Sequence, residues 1–204
     1  MSELKTIPKT KSGVASCRKT KSSVAFCTIK DIIHTFSNYG YPLFDREEQG
    51  RIVEPESAIV ASLHYSKEPR IILGIPVVLF WANGIIDYER LVALSLEAGK
   101  GNQMGYLLDV TQSLFSEFSY PIPEELKQAV NVLQKNTLKS TQPFYDSGLP
   151  EVYLSYCLKK QDALQKKWNL ILNVSYQTFR HKFQQYLNYE RINEGKSQRS
   201  LRGN

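Results

Sequence analysis

The stretch Glu54–Phe118, EPESAIVASLHYSKEPRIILGIPVVLFWANGIIDYERLVALSLEAGKGNQMGYLLDVTQSLFSEF, decides the fold, because it reads as helix with only short interruptions. Pro55 stands at a first helical position, where its missing N–H costs nothing, and Glu54 and Glu56 place carboxylates beside the positive end of the helix dipole. Ile59, Val60, Leu63 and Tyr65 mark an apolar face. Glu68-Pro69 repeats the start chemistry and opens a second helix. From Arg70 to Trp81 the chain is apolar nearly all round, which predicts a buried element that Gly74 and Pro76 kink or split, with Phe80 and Trp81 as core anchors. Twelve residues are too few to span a bilayer. Asp87 is a predicted N-cap for a helix carrying Leu91, Val92 and Leu94, which Gly99–Gly101 ends. Asn102 is then the predicted cap of a helix reaching Phe118, with Tyr106, Leu107, Val110, Leu114, Phe115 and Phe118 as its stripe. Four helical segments in 65 residues predict a compact helical core.

Outward from this core the chain changes character. Thr28 and Asp31 form a predicted capping box for a helix with Ile29, Ile32, Ile33 and Phe36 on one face, closed by Gly40. On the other side, Tyr120-Pro121-Ile122-Pro123 breaks the chain. Pro123-Glu124-Glu125 restarts it with Leu126, Ala129, Val130 and Leu133 inward. The turn-rich segment TQPFYDSGLP (Thr141–Pro150) precedes a weak strand pattern over Val152–Tyr156. Trp168–Val174 is the clearest strand pattern of the chain, dense in β-branched and aromatic residues. A helical stripe of Tyr176, Phe179, Phe183, Tyr186 and Leu187 follows, with Arg180, His181 and Lys182 outward. The expected fold is therefore α+β and mostly helical, a helical core with a small C-terminal β element. The expected organisation is a basic disordered arm over 1–27 and one globular domain over 28–189, then a basic disordered tail over 190–204. Within the domain, 52–135 forms the helical core and 136–189 an α+β part.

A net charge of +6 over 204 residues conceals an asymmetry. Residues 1–30 carry seven Lys/Arg against one acid, 31–125 carry six against fourteen, and 126–204 carry thirteen against five, giving sums of +6, −8 and +8. Lysine-solubilised termini account for this, and so do basic ends that contact nucleic acid or an acidic partner. On the second account the candidate contacts are Lys9, Lys11, Arg18, Lys19, Lys21, Lys166, Lys167, Arg180 and Lys182. The arm also contains a direct repeat, Lys9–Arg18 followed by Lys19–Thr28, identical at seven of ten positions. Ten residues are too short for a solenoid unit. A slipped duplication explains the repeat more simply than a doubled phosphate-binding motif.

Catalytic signatures are not found. The sequence contains no GxSxG, no HExxH and no nucleotidyltransferase-type Gly-Ser with spaced aspartates, so the expectation is a protein without enzymatic activity. Gly99-Lys100-Gly101-Asn102-Gln103-Met104-Gly105 departs from the phosphate-loop pattern, and helix termination with close helix packing is its reading. Glu47-Glu48 and Glu54/Glu56 read as a solvated turn and as helix-start charges. His34, His64 and His181 have no partner at metal-ligand spacing, and Cys17, Cys27 and Cys157 form no CxxC, so neither cofactor nor metal is expected. With no apolar block of signal-peptide type and no long apolar run, the expected location is the cytoplasm.

Three segments carry a family resemblance. IVEPESAIVASLHY, GIPVVLFWANGIIDYERLVALSLEAG and NQMGYLLDVTQSLF resemble the C-terminal domain of AbiEi-type antitoxins. In that family a Pro-Glu helix start, an Asp-x-x-x-Leu helix and a Gly-Tyr-Leu-Leu helix follow one another, as Pro55-Glu56, Asp87 with Leu91, and Gly105-Tyr106-Leu107-Leu108 do here. The Lys167–Val174 segment is similar to the Trp-x-Leu-x-Val-Asn-Val ending of the family. The resemblance covers about half the chain. It implies an antitoxin of an abortive-infection toxin–antitoxin system, opposing a nucleotidyltransferase-type toxin and regulating its own expression through an N-terminal winged helix. The segment ahead of Glu54 departs from that pattern, being too short in ordered residues for a winged helix. The alternative function is a basic nucleic-acid-binding accessory protein.

Overall fold

The computed structural model describes residues 27–42, 50–65, 68–144 and 150–201. Its elements in chain order are α1 (Ile29–Asn38), α2 (Pro55–Ser62), α3 (Pro69–Trp81), α4 (Tyr88–Glu97), α5 (Gly101–Glu117), α6 (Glu124–Lys135), β1 (Gln142–Pro143), α7 (Glu151–Lys159), α8 (Ala163–Lys167), β2 (Leu170–Ile171) and α9 (Tyr176–Leu201). The protein is mostly helical, with one two-stranded parallel sheet among the described residues, in which Gln142 pairs with Leu170 and Pro143 with Ile171. No helix among the described residues is long and apolar enough to cross a membrane.

The start signals act as the residues demand. Thr28 Oγ1 accepts the Asp31 N–H at 3.2 Å, and Asp31 Oδ2 accepts the Thr28 N–H at 3.0 Å, the reciprocal pair of a capping box. Asp31 also accepts the Arg51 N–H at 2.8 Å and faces the Arg51 guanidinium at 3.3 Å, which ties α1 to the approach to α2. Pro55 and Pro69 occupy the first positions of α2 and α3, and Asp87 caps α4 through the Arg90 N–H at 3.0 Å. Every residue of α2 is buried, Glu56 included. Its Oε1 accepts the Asp87 N–H at 2.8 Å, so α2 fixes where α4 begins. The expected inward residues of α6, Leu126, Ala129, Val130 and Leu133, are buried, as are Phe179, Phe183 and Leu187 of α9.

Several expectations are corrected. Pro76 lies inside α3 without splitting it, and the helix runs unbroken to Trp81. Gly74 serves packing instead, since a Cβ there would stand 2.1 Å from Tyr41 Cε1. Trp81 is 40% exposed: it ends α3 with its indole against Gly40, where a Cβ would meet Trp81 Cδ1 at 2.7 Å, and is a surface lid and not a core anchor. Phe80 is only partly buried, yet its ring makes edge contacts with Trp81, Phe115, Tyr120 and Phe183. α5 begins at Gly101, so Asn102 is not its cap. Val152–Tyr156 is helix and not strand, because Pro150 and Glu151 open α7 and the Pro150 carbonyl accepts the Tyr153 and Leu154 N–H groups. Trp168 and Asn169 close α8, Asn169 taking the left-handed backbone (φ 51°) that asparagine tolerates, which leaves only Leu170–Ile171 extended. α9 is assigned over Tyr176–Leu201.

A polar clamp docks the C-terminal part on α5. Trp168 is fully buried over Gly105, where a Cβ would lie 2.0 Å from Trp168 Cζ3. The indole N–H donates to Asp109 Oδ2 at 2.9 Å, and the same oxygen accepts from Lys167 Nζ at 2.6 Å. One turn before Gly105, Asn102 donates to the Trp168 carbonyl at 2.9 Å and accepts the Leu138 N–H at 3.0 Å. Gln165 donates to the Val174 carbonyl at 2.9 Å, closing the turn into α9.

Candidate functional site

Among the described residues, a concavity lies between α4 and α6. The start of α4 supplies Asp87, Tyr88, Glu89 and Val92, preceded by Ile86. The facing side of α6 supplies Glu125, Gln128, Ala129 and Val132, and together they enclose about 530 Å³. α4 is aimed there by fixed contacts. Asp87 is held at both ends, its N–H by Glu56 and its carboxylate by the Arg90 N–H, and Arg90 also pairs with Glu54. Tyr88, the first residue of the helix, is thereby turned inward.

The lining has three chemical parts. Val92 and Ala129 form a buried apolar floor, with the exposed Val132 as an apolar lip. Glu89 and Glu125 are exposed and give a carboxylate rim, to which the exposed Asp87 adds a third acid. Tyr88 is 6% exposed, and its hydroxyl has no hydrogen-bond partner among the described residues. Burial, then the Glu125 charge, push its pKa up to about 12, so the phenol remains a proton donor across the neutral range. A buried donor without an acceptor is a cost the fold carries, relieved when a partner supplies one. An apolar floor, an anionic rim and a spare donor suit a basic, partly apolar protein element whose Lys or Arg heads meet the carboxylates while their stems cover the floor.

The sequence-predicted contacts distribute differently. Lys9, Lys11, Arg18, Lys19 and Lys21 lie outside the described residues. Lys166 and Lys167 are adjacent at the exposed end of α8, but the Lys167 ammonium is engaged with Asp109 and lies 5.6 Å from the Trp168 ring centre. Arg180 is paired with Glu117 and packs over Phe118. Hydrogen bonds from Arg180, then from the Tyr176 hydroxyl, hold the Glu117 carboxyl below its ordinary range. Lys182 bonds Gln185 at 3.1 Å and lies over Tyr186. The structure thus places these cations as two neighbouring pairs on two helices, with Lys167 and Arg180 serving internal ion pairs. Among the described residues no group of three or more His, Cys, Asp or Glu side chains is placed to hold a metal ion. Asn102 and Gly105 of the glycine-rich run serve the Trp168 clamp.

Sequence reasoning missed two features. The groove depends on Tyr88 and Glu125 meeting across two helices, which no local pattern announces. The second is α7, whose Pro150-Glu151 start repeats the chemistry of Pro55-Glu56 and was the available signal. No protein-family model matches the chain, and no curated protein or solved structure is significantly similar to it.

Proposed function

We propose that this chain is a non-catalytic antitoxin-like protein that opposes a nucleotidyltransferase-type toxin, with the α4–α6 groove as its point of engagement. The observation that carries the reading is the groove's composition: an apolar floor ringed by Asp87, Glu89 and Glu125, with the unpartnered Tyr88 hydroxyl in its wall. An enzyme that binds a nucleoside triphosphate must present cationic side chains to the phosphates. An acidic, apolar surface complements such a face, and occupying it excludes the nucleotide. The AbiEi-type pattern of Pro55-Glu56, Asp87/Leu91 and Gly105–Leu108 supports the same partner class. Those residues build α2, the start of α4 and α5, the frame on which the groove rests.

The test is co-expression with the product of the adjacent reading frame. A nucleotidyltransferase-type product that arrests growth should be neutralised by this chain and co-purify with it. Glu89→Lys/Glu125→Lys, both on exposed positions, should abolish neutralisation while leaving the circular-dichroism spectrum unchanged. Full neutralisation by the charge-reversed variant would move the interface elsewhere, and a non-toxic neighbour unrelated to nucleotidyltransferases would sink the reading.

A further inference from the structure

α7 presents an outward stripe that the antitoxin reading leaves unused. Cys157 is buried and Leu154 half-buried, while Val152, Tyr153 and Tyr156 are 86%, 41% and 51% exposed. This is an unusual density of large apolar side chains for nine helical residues. The two tyrosine rings are stacked on each other, with centroids 6.1 Å apart and planes 20° from parallel, and Lys160 Nζ donates to the Tyr156 hydroxyl and lies 4.4 Å from the centre of its ring. Lys159 and Lys166 are exposed on either side of the short link into α8. The carboxylate inside that link, Asp162, is turned away from the stripe: it accepts the Gln165 N–H at 2.8 Å and the Tyr176 N–H at 3.3 Å. The face is therefore aromatic and cationic.

We infer that the α7 stripe is a binding site for single-stranded nucleic acid, in which unpaired bases stack on Tyr153 and Tyr156 and lysine ammonium groups meet the phosphates. The chemistry matches part by part. A strand with unpaired bases alternates flat π-faces with anionic phosphates, and a row of solvent-facing rings flanked by lysines complements both. Duplex hides its base faces inside the stack, so it can engage only the lysines. A lipid surface would need a continuous apolar face, whereas here the rings are interleaved with ammonium groups, and the exposed aliphatic side chains of α7, Val152 and Leu158, lie six residues apart on different sides of the helix. This site is independent of the α4–α6 groove and stands whether or not a toxin binds there.

The experiment is fluorescence anisotropy of the full chain with a labelled oligo(dT) strand and with a duplex of equal length, each over a salt series. The single strand should bind more tightly. Tyr153→Leu/Tyr156→Leu, which keeps apolar bulk in the helix but removes the π-faces, should weaken it by roughly fivefold to a hundredfold. The same variant should leave duplex affinity unchanged. Lys159→Gln/Lys160→Gln should lower the single-strand salt slope by about 0.7 for each phosphate that is no longer neutralised. Unchanged single-strand affinity in the leucine variant, or equal affinity for strand and duplex, would overturn the inference. Tyrosine-dependent capture of phosphatidylserine vesicles with no binding of the oligonucleotide would assign the stripe to a membrane surface instead.

Discussion

Gly74 and Gly105 each lie under an aromatic ring, yet the two contacts hold different kinds of structure together. At Gly74 the ring is Tyr41, whose hydroxyl donates to the Arg70 carbonyl at 2.9 Å, and its surroundings are the apolar surface of α3 and the ring of Tyr186. At Gly105 the ring is Trp168, and around it are Asp109, Lys167, Asn102 and Gln165, each making a directed hydrogen bond. The packing around Gly74 is thus mostly a matter of area, which tolerates exchange among side chains of similar volume. The C-terminal part is held by geometry, where losing one partner strands another.

That contrast can be broken at several points. Trp168→Ala should have the largest effect, roughly 3–5 kcal/mol for emptying a large aromatic site, with Asp109 left short of a donor as well. Urea denaturation measures it, and a cost near that of a surface substitution would dissolve the clamp as an idea. Gly105→Ala and Gly74→Ala should each cost about 1–3 kcal/mol through overpacking. Hydrogen exchange should separate them: the first loosens the amides of α8 and the start of α9 while α2 stays protected, and the second loosens α1 and α3. Similar exchange maps for both variants would mean that the two regions are one cooperative unit. Trp81→Ala should cost about 2 kcal/mol or less, since much of the indole is already in water, and the ratio to Trp168→Ala in one denaturation series tests the assignment of lid against clamp.

The smallest effect concerns acid. Backbone hydrogen bonding from Thr28, opposed by burial and reinforced by Arg51, holds the Asp31 carboxyl well below its ordinary value of 3.8. A depressed folded-state pKa stabilises above the unfolded value, and the contribution is lost as pH falls through the folded one. Asp31→Asn should therefore be less stable than the native chain at neutral pH, with the two stabilities converging as pH drops below about 4. Thermal melts at stepped pH would show parallel curves if Asp31 had no such role.

What was legible in the sequence follows the same division. Thr28, Asp31, Pro55, Pro69 and Asp87 announced their helices because caps and first-turn prolines are local chemistry, and the apolar stripes of α5, α6 and α9 follow from period alone. The burial of Trp81 was misjudged because periodicity shows which residues are apolar but not where the next element stops covering them, and Trp81 stands at that margin. The strand expected over Trp168–Val174 shrank for another reason: one left-handed residue, Asn169, assigns Trp168 to a helix end, and propensity averages cannot see a single backbone angle. The groove was illegible since Tyr88 and Glu125 belong to different helices.

The placement of α9 has a consequence for how the chain is made. The Tyr186 hydroxyl donates to the Pro42 carbonyl at 3.2 Å across 144 residues, and Phe183 closes over Phe80 and Phe115 with ring centroids 5.4 and 6.2 Å away. At about 5–20 residues per second, roughly 7–30 s separate the synthesis of Pro42 from that of Tyr186. From the synthesis of Phe80 and Phe115 until that of Phe183, the nascent chain carries an uncovered aromatic face on α3 and α5, the kind of surface that chaperones retain and that aggregates when released early. A ribosome that stalls before Phe179 leaves a polypeptide with its helical middle present and its aromatic seam open, a substrate for proteolysis.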